Sequence, residues 1–194
     1  MIKRKAEERI KDWIDGSKKA LLVSGARQVG KTYSIRRCLA EADCNYLEIN
    51  LIEQPELVPV FEQSMSVDDL IVNLSAATDY SLVKGESILF IDEIQEVKDI
   101  VTRIKFWVDE GSFRYILSGS LLGIELKSLR SAPVGYLEEV KMFPLDFEEF
   151  LKASSVNEDV LEHLRHCFEE RKPVGEVIHD KIMKHFRRYL VVGG

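Results

Sequence analysis

The sequence is poor in cysteine. There are three in 194 residues, Cys38, Cys44 and Cys167, odd in number and without a recurring spacing. That argues against a disulfide framework and suits reduced thiols in a cytoplasm. No apolar run approaches the ~20 residues needed to cross a bilayer, so no membrane partner is expected. The opening Met1-Ile2-Lys3-Arg4-Lys5 is basic, but Ala6-Glu7-Glu8-Arg9 follows it in place of an apolar core, so no secretory signal is expected. A surplus of positive charge is missing too: 27 Lys and Arg stand against 33 Asp and Glu, a net charge of −6. This excludes a globally basic surface for nucleic acid. Internal repeats and low-complexity segments are absent. At 194 residues the chain is long enough for one well-cored α/β domain with room for a small appendage, and 45% hydrophobic and 31% charged residues are the composition of an ordinary soluble globular protein.

What is present centres on Gly25-Ala26-Arg27-Gln28-Val29-Gly30-Lys31-Thr32, which fits G-x-x-x-x-G-K-[ST], the phosphate-binding loop of nucleoside triphosphatases. Ala20 to Ser24 form a short apolar run that reads as a buried strand. Thr32 to Ala42, with Ile35, Leu39 and Ala42, read as a helix. The motif requires this strand–loop–helix setting. Glycines at 25 and 30 would let the backbone turn tightly, so that N–H groups point at phosphate oxygens. The helix start aims its positive end at the same anion. Lys31 would reach the β- and γ-phosphates, and the Thr32 hydroxyl would ligate Mg2+.

A second landmark is Ser87-Ile88-Leu89-Phe90-Ile91-Asp92-Glu93, a buried strand delivering two acids to its C-terminal edge. An Asp-Glu pair after a strand can merely cap the next helix. Downstream of a phosphate loop it takes another meaning: Asp92 would hold Mg2+ through its water shell and Glu93 would polarise an attacking water. Phe113 to Ser118 read as a further buried strand. Ser118 and Ser120 at its end are candidates for positioning that water, and either could equally cap a helix.

In chain order, residues 2–15 read as an amphipathic helix carrying Ile10, Trp13 and Ile14. Asn45–Asn50 alternate as a strand, and Pro55 and Pro59 mark a loop with a short helix. Val67–Ala77 form a helix with Ser66 as N-cap, and Val97–Glu110 form another. Residues 121–136 read as a helix remnant and an ordered loop, and Glu138–Phe143 as the last strand. Pro144 is expected to open a helix over 145–151, with helices near 156–171 and 174–190 after it. Five strands interleaved with helices give a parallel three-layer α/β/α sheet over 1–143 and a helical appendage over 144–194. His163, His166 and Cys167 suit a solvated helix better than a metal site. Lys181, Lys184, Arg187 and Arg188 form a small basic face whose default reading is solvated.

The sequence resembles the prokaryotic AAA-type ATPases of the AAA+ superfamily that carry a C-terminal domain of unknown function. The matching residues are Ile2-Lys3-Arg4-Lys5, the phosphate loop, Phe90-Ile91-Asp92-Glu93-Ile94-Gln95-Glu96 and Leu117-Ser118-Gly119-Ser120-Leu121-Leu122-Gly123. Ala132-Pro133-Val134-Gly135, Phe143 to Leu151 and Tyr189 to Gly194 complete the set. The resemblance implies a P-loop AAA+ core with strand order 5-1-4-3-2, ATP and Mg2+ as ligands, and ATP hydrolysis. It also implies self-association or a protein partner, with DNA contacted only through a further C-terminal domain. Gly135-Tyr136 departs from the Gly-Arg of many relatives. That leaves an arginine finger unassigned, with Arg103, Arg114 and Arg130 as candidates. Two other readings stay open: a nucleotide-loaded regulatory switch with negligible hydrolysis, and the ATPase part of a DNA-associated defence or mobile-element protein.

Overall fold

The computed structural model describes residues 2–64, 66–120 and 135–193. The expected helix remnant and loop over 121–136 fall mostly outside them, as does Arg130. The chain divides into two compact units, residues 6–142 and residues 1–5 with 143–194.

The larger unit is built on five strands: β1 (Ala20–Gly25), β2 (Tyr46–Asn50), β3 (Ile88–Asp92), β4 (Arg114–Ser120) and β5 (Leu137–Met142). All neighbours pair in parallel, in the order β5-β1-β4-β3-β2, the 5-1-4-3-2 arrangement implied by the resemblance. Every residue of β1 and β3 is buried, whereas β2 at one edge alternates half-buried and buried. Uninterrupted apolar runs are what a strand needs when helices cover both sides.

Alternation along the strands sends successive side chains to opposite faces. Leu21, Val23, Ile88, Phe90 and Ile116 face one way and pack with Ile10, Trp13 and Ile14 of α1 (Ala6–Gly16) and Ile35, Cys38 and Leu39 of α2 (Lys31–Glu41). Leu22, Leu89, Ile91 and Leu117 face the other way. They meet Phe61 of α3 (Val58–Gln63), Leu70 and Leu74 of α4 (Val67–Thr78), and Ile104 and Trp107 of α5 (Ile100–Glu110). Ser66 caps α4 by accepting the Asp69 N–H at 3.1 Å. Because parallel strands all end on one edge, Gly25, Asp92 and Ser120 come to the same edge of the sheet.

The smaller unit holds α6 (Phe147–Ala153), α7 (Glu158–Glu169) and α8 (Glu176–Val192). Leu151, Val156 and Leu161 are its buried core. Phe147 and Phe186 pack in a T-shaped, edge-to-face arrangement with ring centroids 5.2 Å apart. Two expectations are corrected here. Pro144 does not open α6; Asp146 is its N-cap, in a reciprocal box in which Asp146 accepts the Glu149 N–H at 2.8 Å and Glu149 accepts the Asp146 N–H at 3.1 Å. Residues 2–5 do not belong to α1, because their polar groups are taken by this unit. Arg4 donates to Glu149 at 3.2 Å and to the Phe143 carbonyl at 2.6 Å, and the Lys5 N–H donates to Glu149 at 2.7 Å. No helix among the described residues is long and apolar enough to cross a membrane.

Candidate functional site

The site grows from the end of β1. Gly25 is required there, but not for the tight turn that the motif suggests. A Cβ at this position would stand 2.1 Å from the Met142 carbonyl oxygen of neighbouring β5, so only glycine lets the two strands pair this closely. The turn itself is made further on, by Gln28 at φ 64° and Gly30 at φ 92°, the second a left-handed position that glycine adopts without strain. Ala26, Arg27 and Gln28 are exposed, while Val29 is half-buried against the α1/α2 face and ties the loop down.

Gly30 is the N-cap of α2 and provides no side-chain acceptor. The first N–H groups of the helix therefore lack intrahelical partners and form an anion-seeking end directly after the loop. Lys31, 6% exposed, folds back over the loop and donates to the carbonyls of Ala26 at 2.9 Å and Gly25 at 3.3 Å. Its ammonium thus lies among the loop's own oxygens, where a phosphate oxygen would be a stronger acceptor than a neutral carbonyl.

The last residue of β3 approaches from the adjoining layer. Asp92 is 2% exposed. Its Oδ2 accepts the Thr32 hydroxyl at 2.6 Å and its Oδ1 accepts the Glu93 N–H at 3.0 Å. A hydroxyl and a carboxylate converging this closely are hard oxygen donors of the type Mg2+ selects, so the residues present fit that ion. Glu93 follows in the left-handed region, φ 57° and ψ 47°. This sharp turn carries it off the strand, half-buried.

Ser118 and Ser120 lie on β4 between β3 and β1. Ser120 is level with Gly25, where the loop begins, and Ser118 is level with Val23, two residues further into the sheet. Both are buried, and among the described residues the Ser118 hydroxyl has no hydrogen-bond partner. The parallel register thus brings Gly25, Lys31, Thr32, Asp92, Glu93 and Ser120 to one sheet edge, with Ser118 behind them. One member was not singled out in the sequence. Gln95, in the turn after Glu93, donates from Nε2 to Glu93 Oε2 at 2.6 Å. Its place in Asp92-Glu93-Ile94-Gln95 was the available signal.

The family model described as an AAA domain matches residues 17–151. Among solved structures, the chain is similar to a chain in a study of DNA unwinding at forked dsDNA by two coordinating Pif1 helicases. Identity is 17%, over 76% of this chain and 45% of that one, with a TM-score of 0.44. It is similar also to the Aeropyrum pernix ORC1 protein in complex with DNA, at 16% identity over 77% of this chain and 48% of that one, with a TM-score of 0.48. The chain spans less than half the length of either. No curated protein matches it.

Proposed function

The chain belongs to the AAA domain family, whose function is of the ATP-binding, ATPase type, and from that premise we propose that it binds ATP with Mg2+ and hydrolyses the γ-phosphate bond. The observation that carries the proposal is the 2.6 Å contact from the Thr32 hydroxyl to buried Asp92, which joins the end of the phosphate loop to the acidic end of β3.

In this reading the backbone N–H groups from Ala26 to Thr32 and the α2 N-terminus cradle the phosphates, and Lys31 leaves the loop carbonyls to pair with them. Thr32 and Asp92 would hold Mg2+, which supplies neutralisation of charge on the phosphate oxygens. Glu93 accepts a proton from water as the water oxygen bonds to the γ-phosphorus. The bond from that phosphorus to the bridging oxygen breaks, and ADP and inorganic phosphate leave. Ser120, beside the loop, and Ser118 behind it bear on the water's position.

The test is calorimetric titration with ATP, with and without Mg2+. Lys31→Ala removes a charge-assisted contact worth roughly 1.5–3 kcal/mol, about a tenfold to hundredfold loss of affinity. Equal affinity in the variant and the native chain would refute the site.

A further inference from the structure

The hydrogen bonds at the end of β3 do not stop at Glu93. Gln95 lies half-buried in the turn Ile94–Glu96, with Nε2 donating to Glu93 Oε2 at 2.6 Å and Oε1 accepting the Ser120 N–H at 3.4 Å. The amide orientation is dictated by its neighbours: a carboxylate needs a donor and an N–H needs an acceptor, so a flipped amide would lose both bonds. Asp92 accepts the Thr32 hydroxyl on one oxygen and the Glu93 N–H on the other. One path of hydrogen bonds therefore runs Thr32–Asp92–Glu93–Gln95–Ser120, from the start of α2 to the end of β4. Among the described residues, Gln95 alone donates to the Glu93 carboxylate.

We propose that Gln95 is a positioning residue: its side-chain amide fixes Glu93 Oε2 to the end of β4 and leaves Oε1 to take the proton of the attacking water. The inference rests on the ATPase reading above. A glutamate side chain has three torsions, and a bond to an amide that is itself held at a strand end restricts them. A base held in line with its proton contributes far more than one that wanders, and displacement by about 1 Å can cost on the order of a hundredfold.

Two isosteric variants separate the two contacts. Gln95→Met keeps the length and loses both. Gln95→Glu keeps an acceptor for Ser120 and loses the donor to Glu93. Single-turnover hydrolysis, with the chain in excess over ATP and its concentration varied, yields a maximal rate and a half-saturation point. Both variants are expected to lower the maximal rate by about tenfold to a hundredfold, with half-saturation and calorimetric ATP affinity within twofold of native. Gln95→Met combined with Glu93→Gln should be no slower than Glu93→Gln alone, a result that general loss of stability would not produce. Amide hydrogen exchange at Ser120 should quicken in Gln95→Met and stay native in Gln95→Glu.

A native maximal rate in Gln95→Glu, beside a slow Glu93→Gln, overturns the inference and leaves the ATPase reading standing. Native exchange at Ser120 in Gln95→Met overturns it also, whatever the turnover. Native turnover in Glu93→Gln removes both.

Discussion

The Thr32 hydroxyl and the Asp92 carboxylate, 60 positions apart in the chain, meet at 2.6 Å where the phosphate loop and the end of β3 converge. If both hold the same ion, Thr32→Ala and Asp92→Asn should leave ATP affinity near native without Mg2+ and weaken it with Mg2+. Because they share one site, their effects should also be non-additive, with a coupling of about 0.5–3 kcal/mol. Titrations of the single and double variants at saturating Mg2+ and in chelator measure this. An equal loss in chelator would assign the pair to loop packing instead.

Glu93 is asked to do something different. Its task is confined to the water, so Glu93→Gln should keep ATP and lose turnover by about 10²–10⁴-fold. Nucleotide retained on the chain after rapid gel filtration, set against phosphate release, checks both halves. Native turnover would mean that another group is the base.

The phosphate loop and the acid pair were legible because each is a local pattern whose chemistry depends on residue type and spacing. The buried strands were legible for the same reason, since Ile88 to Ile91 have no polar side to expose. Features set by distant neighbours were not. Residues 2–5 continue a plausible helical period, yet Arg4 and the Lys5 N–H go to Glu149, about 145 positions on. The start of α6 was misplaced because Pro144 is a generic signal, and the reciprocal bonds of Asp146 and Glu149 outweigh it. Gly25 looked like a turn residue, and its need became visible only with Met142 beside it.

That contact gives a prediction about stability. Gly25→Ala would set a methyl 2.1 Å from the Met142 oxygen and 3.1 Å from its carbonyl carbon, both backbone atoms of a paired strand. Overpacking of this kind costs about 1–3 kcal/mol, and in a chain of this size each kcal/mol lowers Tm by roughly 2–4 °C. Gly16→Ala is the control, because a Cβ there meets nothing within 4 Å. Thermal melting should separate the two, and equal Tm values would refute the close approach of β1 and β5.

Within the smaller unit, the Lys5 ammonium lies 2.7 Å from Glu148 and Arg165 also pairs with it. The hydrogen bond from Lys5, and after it Arg165 against the opposing effect of burial, hold the Glu148 carboxyl down at about 2, from an ordinary 4.5. A depressed carboxyl contributes stability that is fully present above the unfolded value and is lost as pH falls through the folded one. Helices 147–192 should therefore weaken between pH 4.5 and about 2, modestly, because the pair is partly solvated. Hydrogen exchange of this unit across that range should show the slope, and Glu148→Gln should flatten it. An unchanged slope in the variant would place the acid sensitivity elsewhere.

Arg103 donates to the carbonyls of Glu62 at 2.6 Å and Ser64 at 3.4 Å, which ties α5 to the end of α3. Arg114 donates to the carbonyls of Trp13 at 2.6 Å and Ile14 at 3.0 Å and lies over the Trp13 ring, 4.3 Å from its centroid. It begins β4, at the opposite end of that strand from Ser120. Both guanidinium groups are thus committed to backbone oxygens of the same unit, and neither is offered to a phosphoryl group. An arginine at the transferring phosphate can be worth 10³–10⁵ in rate. If that arginine comes from a second copy or a partner, the chain should hydrolyse ATP well below the ~1–10³ s⁻¹ usual for enzymes when dilute, and faster per chain as copies or a partner assemble. Phosphate release over a concentration series, read beside the oligomeric state from light scattering, tests this. Arg114→Ala should lower Tm without changing the concentration dependence. Fast turnover by a dilute monomer would show that one chain completes its own site.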